Sequence, residues 1–253
     1  MTDTESPPLR AGFWRRLAAL AVDSIVIFLP LQILVAILFA QTNGNVQGGF
    51  FVVTECRSVN SVPEGLQPPP SADANFANLC TSRFFGFPTA HILSVGTTTQ
   101  KSNVTTSRSI NYPLDADGKL TNALDMTWVA LLVLTLYLIA MEWRSGATVG
   151  KRLLKMKVIN AGDTAGAGIP LSKAVKRNLA MWVGAIPALL IFIKLIFFSA
   201  DPLATMSSGG FLLAAAVAFL IQAAWLIWIV VSVSKKSDPI YDRIARTSLV
   251  RLR

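Results

Sequence analysis

Four apolar stretches, at 17–40, 127–141, 179–200 and 211–233, constrain this chain more than any other feature. The first has 24 residues and one charge, Asp23. At 1.5 Å per residue it reaches roughly 36 Å, enough for a hydrocarbon core of about 30 Å. The second is extended by Leu124 and Met126 on one side and Trp143 on the other. The third carries Lys194 and Pro187, and the fourth is uncharged, with Gln222 as its most polar member. In water such stretches would make the chain insoluble. In lipid each satisfies its own backbone hydrogen bonds as a helix. The composition agrees: 15% of residues are charged, against about 25% in soluble domains. That excludes a disordered chain and argues against a soluble enzyme. The first stretch is longer than the roughly 7–15 apolar residues of a secretory signal, so it reads as a retained helix.

Loop charges give an orientation. Residues 142–178 hold eight basic residues against Glu142 and Asp163, and the tail after Ser234 holds six against Asp238 and Asp242. The N-terminal segment adds Arg10, Arg15 and Arg16, whereas 41–124 balances five basic with five acidic residues. The positive-inside rule then places both termini and 142–178 in the cytoplasm, and the balanced loop outside. The net charge of +9 is explained by this asymmetry, without nucleic acid as a partner. The basic segment is suited to anionic lipid headgroups.

The loop at 41–124 is rich in Ser, Thr, Asn and Pro, shows little helical periodicity, and reads as an extended outer loop. Cys56 and Cys80 both lie in it. Facing an oxidising compartment, they are expected to form a disulfide, which restrains the loop by roughly 3 kcal/mol in the chain-entropy view. Asn103-Val104-Thr105 matches a glycosylation triplet, and 162–168 reads as a flexible turn. The single histidine, His91, cannot supply a metal site by itself.

Three blocks flank the spans. Gly12-Phe13-Trp14-Arg15-Arg16-Leu17-Ala18-Ala19 is followed by Asp23. Gly146-Ala147-Thr148-Val149-Gly150-Lys151-Arg152-Leu153-Leu154-Lys155-Met156-Lys157-Val158 leads to Leu171-Ser172-Lys173-Ala174 and Arg177-Asn178. Tyr241-Asp242-Arg243-Ile244-Ala245 closes the series, with Thr247 and Val250. In this order they resemble the RDD family of membrane proteins, named for one arginine and two aspartates, which match Arg16, Asp23 and Asp242. The long loop with its two cysteines departs from that pattern. The resemblance implies a bacterial inner-membrane protein; some members are linked to cation/proton exchange, and others are small domains fused to further modules.

Arg16 and Asp23 are seven residues apart, so on a helix they return to within about 20° of one face. A carboxylate at that depth costs about 2.5–3.5 kcal/mol in lipid and should face protein or water. Asp242, eight residues past the fourth span, can fold back to the cytoplasmic mouth. Arg16 is therefore expected to pair with Asp242, Asp23 or both, either as a proton or cation site or as a structural polar cluster. The alternating Lys155-Met156-Lys157-Val158 and the segment 248–252 are expected to pair as strands.

The expected fold is an all-α bundle of four transmembrane helices with a small hairpin-like cytoplasmic sheet and a long outer loop. It divides into 1–40, 41–123 and 124–253, with 10–253 as one RDD-like membrane domain. The expected activity is cation/proton transport or exchange with Asp23 as the exchanging carboxylate. The alternative is a non-transporting adaptor or assembly factor that binds proteins through its outer loop or basic inner face. Four spans are few for one transport pathway, so the transport reading calls for a homo-oligomer; the adaptor reading calls for a membrane-protein partner. No His-Glu-x-x-His or Gly-x-Ser-x-Gly motif occurs, and neither catalysis, nor a cofactor, nor a metal is expected.

Overall fold

The computed structural model describes residues 10–101, 104–161, 168–199, 205–206 and 208–252. The glycosylation triplet's Asn103 and residues 162–167 of the expected turn lie outside the described residues. Two compact units are present: Ser24–Leu134, and the remainder of the described chain.

In the second of these units, helix α1 (Phe13–Gln41) contributes its first turns and α2 (Thr127–Ser145) its last. Then follow α3 (Val149–Leu153), β7 (Met156–Asn160), α4 (Leu171–Met181), a 3-10 turn (Val183–Ala185) and α5 (Ile186–Phe198). The chain ends with α6 (Gly209–Ser234), α7 (Ile240–Ala245) and β8 (Thr247–Arg251). Strands β7 and β8 pair antiparallel, from Met156↔Arg251 to Asn160↔Thr247. The chain entering α1 joins them: Arg10 bridges Val250, and Ala11 N donates to Leu249 O at 3.1 Å. One face of this small sheet buries Met156, Val158 and Leu249 with Ala11, Ala19, Ile169 and Ala174, the outcome expected of a strand with one half-exposed face.

The all-α expectation is corrected by Ser24–Leu134. Between α1 and α2 the chain forms β1 (Val46–Gln47), β2 (Val53–Ser58), β3 (Phe76–Phe84), β4 (Phe87–Lys101), β5 (Val104–Leu114) and β6 (Leu124–Asp125). Strands β2-β3-β4-β5 form an antiparallel meander, while β1 and β6 pair parallel. The core under the meander holds Leu66, Ala77, Leu93, Val95, Tyr112 and Leu114. Leu93 with Val95, and Ile110 with Tyr112 and Leu114, are spaced by two, the period of a strand with one buried face. Abundant Thr, Val and Ile suit a pleated, half-buried surface. An absence of helical period had concealed a period of two. Cys56 and Cys80 are cross-strand partners in β2 and β3, and they are disulfide-bonded.

The bundle expectation also fails at the third apolar stretch. Among the described residues, α1, α2 and α6 are long and apolar enough to cross a membrane; α4 and the helix after it form a pair bent by 41°. Leu179 belongs to α4, and the helix breaks at Trp182. Pro187 sits in the first turn of α5, where a missing N–H removes no helical bond, so it starts a helix there and does not kink a span at its middle. A Cβ on Gly184 would lie 2.5 Å from the Trp225 side chain. Trp225 Nε1 donates to Met181 O at 3.3 Å, satisfying a carbonyl that the break releases.

Candidate functional site

Two glycines explain how the 146–158 block positions charge. Gly146 adopts φ +70°, which ends α2, and its N–H donates to Glu142 O at 2.9 Å. Gly150 lies against α1: a Cβ there would fall 2.1 Å from Ala19 O. That approach lets Gly150 N donate to Asp23 Oδ1 at 2.8 Å. Thr148 caps α3, with its hydroxyl accepting from Lys151 N at 3.3 Å and donating to Asp23 Oδ2 at 2.6 Å. Tyr137, on α2, donates to Asp23 Oδ1 at 3.0 Å and accepts from Val149 N at 2.9 Å. Asp23 is thus a buried carboxylate, 1% exposed, held by three donors from α2 and the start of α3.

Arg16 pairs with Asp242, Nη1 to Oδ2 at 3.1 Å. The same nitrogen donates to Tyr241 Oη at 3.3 Å, and Nε donates to Ala11 O at 3.1 Å. The three residues of the sequence pattern therefore occupy two adjoining polar centres: Arg16 with Asp242, and Asp23 with neutral donors.

The two centres are flanked by residues that the sequence reading did not assign to a site. Arg177 Nε donates to Asp242 Oδ1 at 2.5 Å, and its Nη1 pairs with Glu142 Oε1. Lys151 Nζ also pairs with Glu142 Oε1, and Asn178 Nδ2 donates to Glu142 Oε2 at 3.3 Å. The Arg177 guanidinium carbon stands 5.6 Å from the centre of the Tyr241 ring, within cation–π range. Thr247 Oγ1 lies 3.4 Å from Asp242 Oδ1. A continuous chain of ion pairs results: Arg16–Asp242–Arg177–Glu142–Lys151. With Asp23 included, three cations face three anions. Glu142 and Asp242 are 2% and 0% exposed and Arg177 is 4% exposed.

The signal for this hub was present. Glu142 is an acidic residue at the end of an apolar run in an otherwise basic segment. A carboxylate there needs a partner. Arg177-Asn178 precedes the third apolar stretch, and α4 turns both inward, leaving both buried with Ala174. The sequence could not show that these two ends meet.

Burial pushes the Lys151 ammonium below the usual lysine range, against the pull of Glu142. Burial lifts the Tyr241 phenol above its ordinary value near 10; Asp242 adds to the rise, and Arg177 and Arg16 oppose it. Among the described residues no group of three His, Cys, Asp or Glu side chains could hold a metal ion. Buried and mutually neutralised, the cluster is chemically suited to fixing one arrangement of α1, α2, α4 and α7.

Residues 10–246 match the model of the RDD family. Neither a curated protein nor a solved structure matches the chain.

Proposed function

The chain belongs to the RDD family, and on that premise we propose that this membrane protein is a non-transporting adaptor, with the Arg16, Asp23 and Asp242 pattern as a structural clasp. One observation carries the reading. Each carboxylate of the cluster is at most 2% exposed, and each accepts from two or more donors. An exchanging carboxylate must release its partners and meet water or an ion in every cycle. Here that release would uncover buried charges of both signs, at several kcal/mol per uncompensated ion. The cluster instead ties the chain entering α1 and the chain leaving α6 to the middle of the sequence. No catalytic step belongs to this reading.

The excess of Lys and Arg in 142–178 and after Ser234 supports a bacterial cytoplasmic membrane with both termini inside. The disulfide of the β2–β3 pair supports an oxidising exterior for the meander, which would be the recognition surface for a protein partner. Basic residues outside the cluster, such as Lys155, Lys157 and Arg152, would meet anionic lipid.

Proteoliposomes test the choice between adaptor and exchanger. With an imposed Na⁺ or K⁺ gradient and an internal pH dye, folded and inserted protein should give the same trace as empty liposomes. A gradient-coupled pH change that disappears in Asp23→Asn would overturn the adaptor reading in favour of exchange at Asp23.

A further inference from the structure

The meander has an uncharged end. Residues 46–54 and 84–90 contain no Asp, Glu, Lys or Arg, and they include Phe50, Phe51, Val53, Phe84, Phe85 and Phe87. At the β3–β4 turn, Phe85 has φ +46° and Gly86 φ +89°, so the hairpin reverses tightly and projects its aromatics. Phe51, Val53, Phe84, Phe85 and Gly86 line one shallow groove together with the Glu55–Arg83 ion pair. Phe85 is 83% exposed, Val53 69%, Phe87 66% and Phe51 43%. In water this would be a costly surface.

Its depth follows from α1. If the hydrocarbon core begins at Leu17, the first apolar residue after Arg15 and Arg16, about 30 Å of core at 1.5 Å per residue ends near Ile37. Phe28 and Gln32 then lie about 16 and 22 Å past Leu17, both in the far half of the core. Phe50 N donates to Gln32 Oε1 at 2.7 Å. The Phe50 and Phe51 rings stand 5.8 and 6.1 Å from the ring of Phe28. The turn that enters β2 is therefore fixed to α1 at hydrocarbon depth. The first charges above it behave as they would at an interface. Arg83 is the register partner of Val53, yet its guanidinium reaches along the strands to Glu55 at 2.6 Å, away from the aromatic end. This is the snorkelling expected of an arginine beside lipid.

We propose that the aromatic end of the meander, formed by Phe51, Val53, Phe85 and Phe87, is inserted among the acyl chains of the leaflet that holds the C-terminal half of α1. The partner of this surface is lipid. The sheet is thereby a second membrane anchor, with the far end of the meander held at a fixed height above the bilayer. The inference rests on membrane insertion of α1 and is independent of the adaptor reading.

Nitroxide labels at Phe85→Cys and Phe87→Cys test it in the full chain reconstituted in phosphatidylcholine–phosphatidylglycerol vesicles. The native cysteines are joined to each other, so the introduced thiol takes the label. Val53→Cys on the adjacent strand is a third position if either variant folds poorly, and Thr106→Cys is the reference. Thr106 pairs with Thr99, which is about 40 Å along β4 from Phe87 at 3.3 Å per residue. Collisions with oxygen should exceed those with a water-soluble nickel chelate at 53, 85 and 87, with the opposite sign at 106. Nickel accessibility at 85 and 87 equal to that at 106 would put the tip in water. Exclusion of both reagents would mean that protein covers it. Either result overturns the proposal.

Discussion

Arg177→Met is the sharpest test of the clasp. Arg177 is shared by Asp242 and Glu142, which are 0% and 2% exposed. Breaking a single buried pair by removing one partner costs about 3–5 kcal/mol. Two independent losses would give about 6–10 kcal/mol. Each carboxylate keeps one cation, however: Arg16 on Asp242 and Lys151 on Glu142. The expected loss is therefore about 5 kcal/mol. Charge balance sharpens the test. The substitution turns three cations against three anions into two against three. Adding Asp242→Asn restores two against two, so the double variant should be more stable than the sum of the single losses predicts, by roughly 1–3 kcal/mol. The assay is reversible unfolding in mixed micelles with a denaturing detergent, followed by tryptophan fluorescence and far-ultraviolet circular dichroism. If Arg177→Met costs less than about 1 kcal/mol, or the two substitutions add to within about 0.5 kcal/mol, the shared-hub reasoning is refuted.

Gly150→Ala should lower stability in the same assay. Its Cβ would meet Ala19 O at 2.1 Å, so overpacking and the lost bond to Asp23 should together cost about 2.5–6 kcal/mol, against a helix-propensity gain of about 1; wild-type stability would contradict that packing. Replacing Cys56 and Cys80 together by Ser should loosen the meander by about 3 kcal/mol, seen as faster amide hydrogen exchange in β2 and β3; unchanged exchange there would show the bond to be dispensable. Tyr241 should ionise above its ordinary value near 10. The unfolded chain loses that proton first, so the phenol's contribution is complete below pH 10 and declines as pH rises from there to the folded value. Tyrosinate absorbance of the folded protein should therefore lag that of the denatured protein, with the Tyr241→Phe variant showing a smaller lag; coincident curves would exclude a buried phenol.

Apolar length, a local property of the chain, was enough to mark α1, α2 and α6 as helices long and apolar enough to cross a membrane. The alternation around Met156 and Val158 marked a strand for the same reason, since a half-buried strand repeats every second residue. The order of the three blocks identified the family, which the match over 10–246 shows. The meander was present in the spacing of Leu93 with Val95 and of Tyr112 with Leu114, but a polar loop composition obscured it. Strand pairing depends on residues distant in sequence, and no local count reveals that Cys56 stands opposite Cys80. The break before α5 was likewise beyond a length rule, because Gly184 is set by the Trp225 side chain on α6.

Only the tertiary structure decided how the charges pair. Arg16 and Asp23 share a helix face, and helical geometry allowed them to be partners. Asp23 is instead satisfied by Tyr137, Thr148 and Gly150 N because Gly150 can approach Ala19 closely enough. Arg16 meets Asp242 from 226 residues away, and Arg177 joins Asp242 to Glu142. Composition fixes how many charges a membrane protein must neutralise; the approach of four separate segments decides which charge neutralises which.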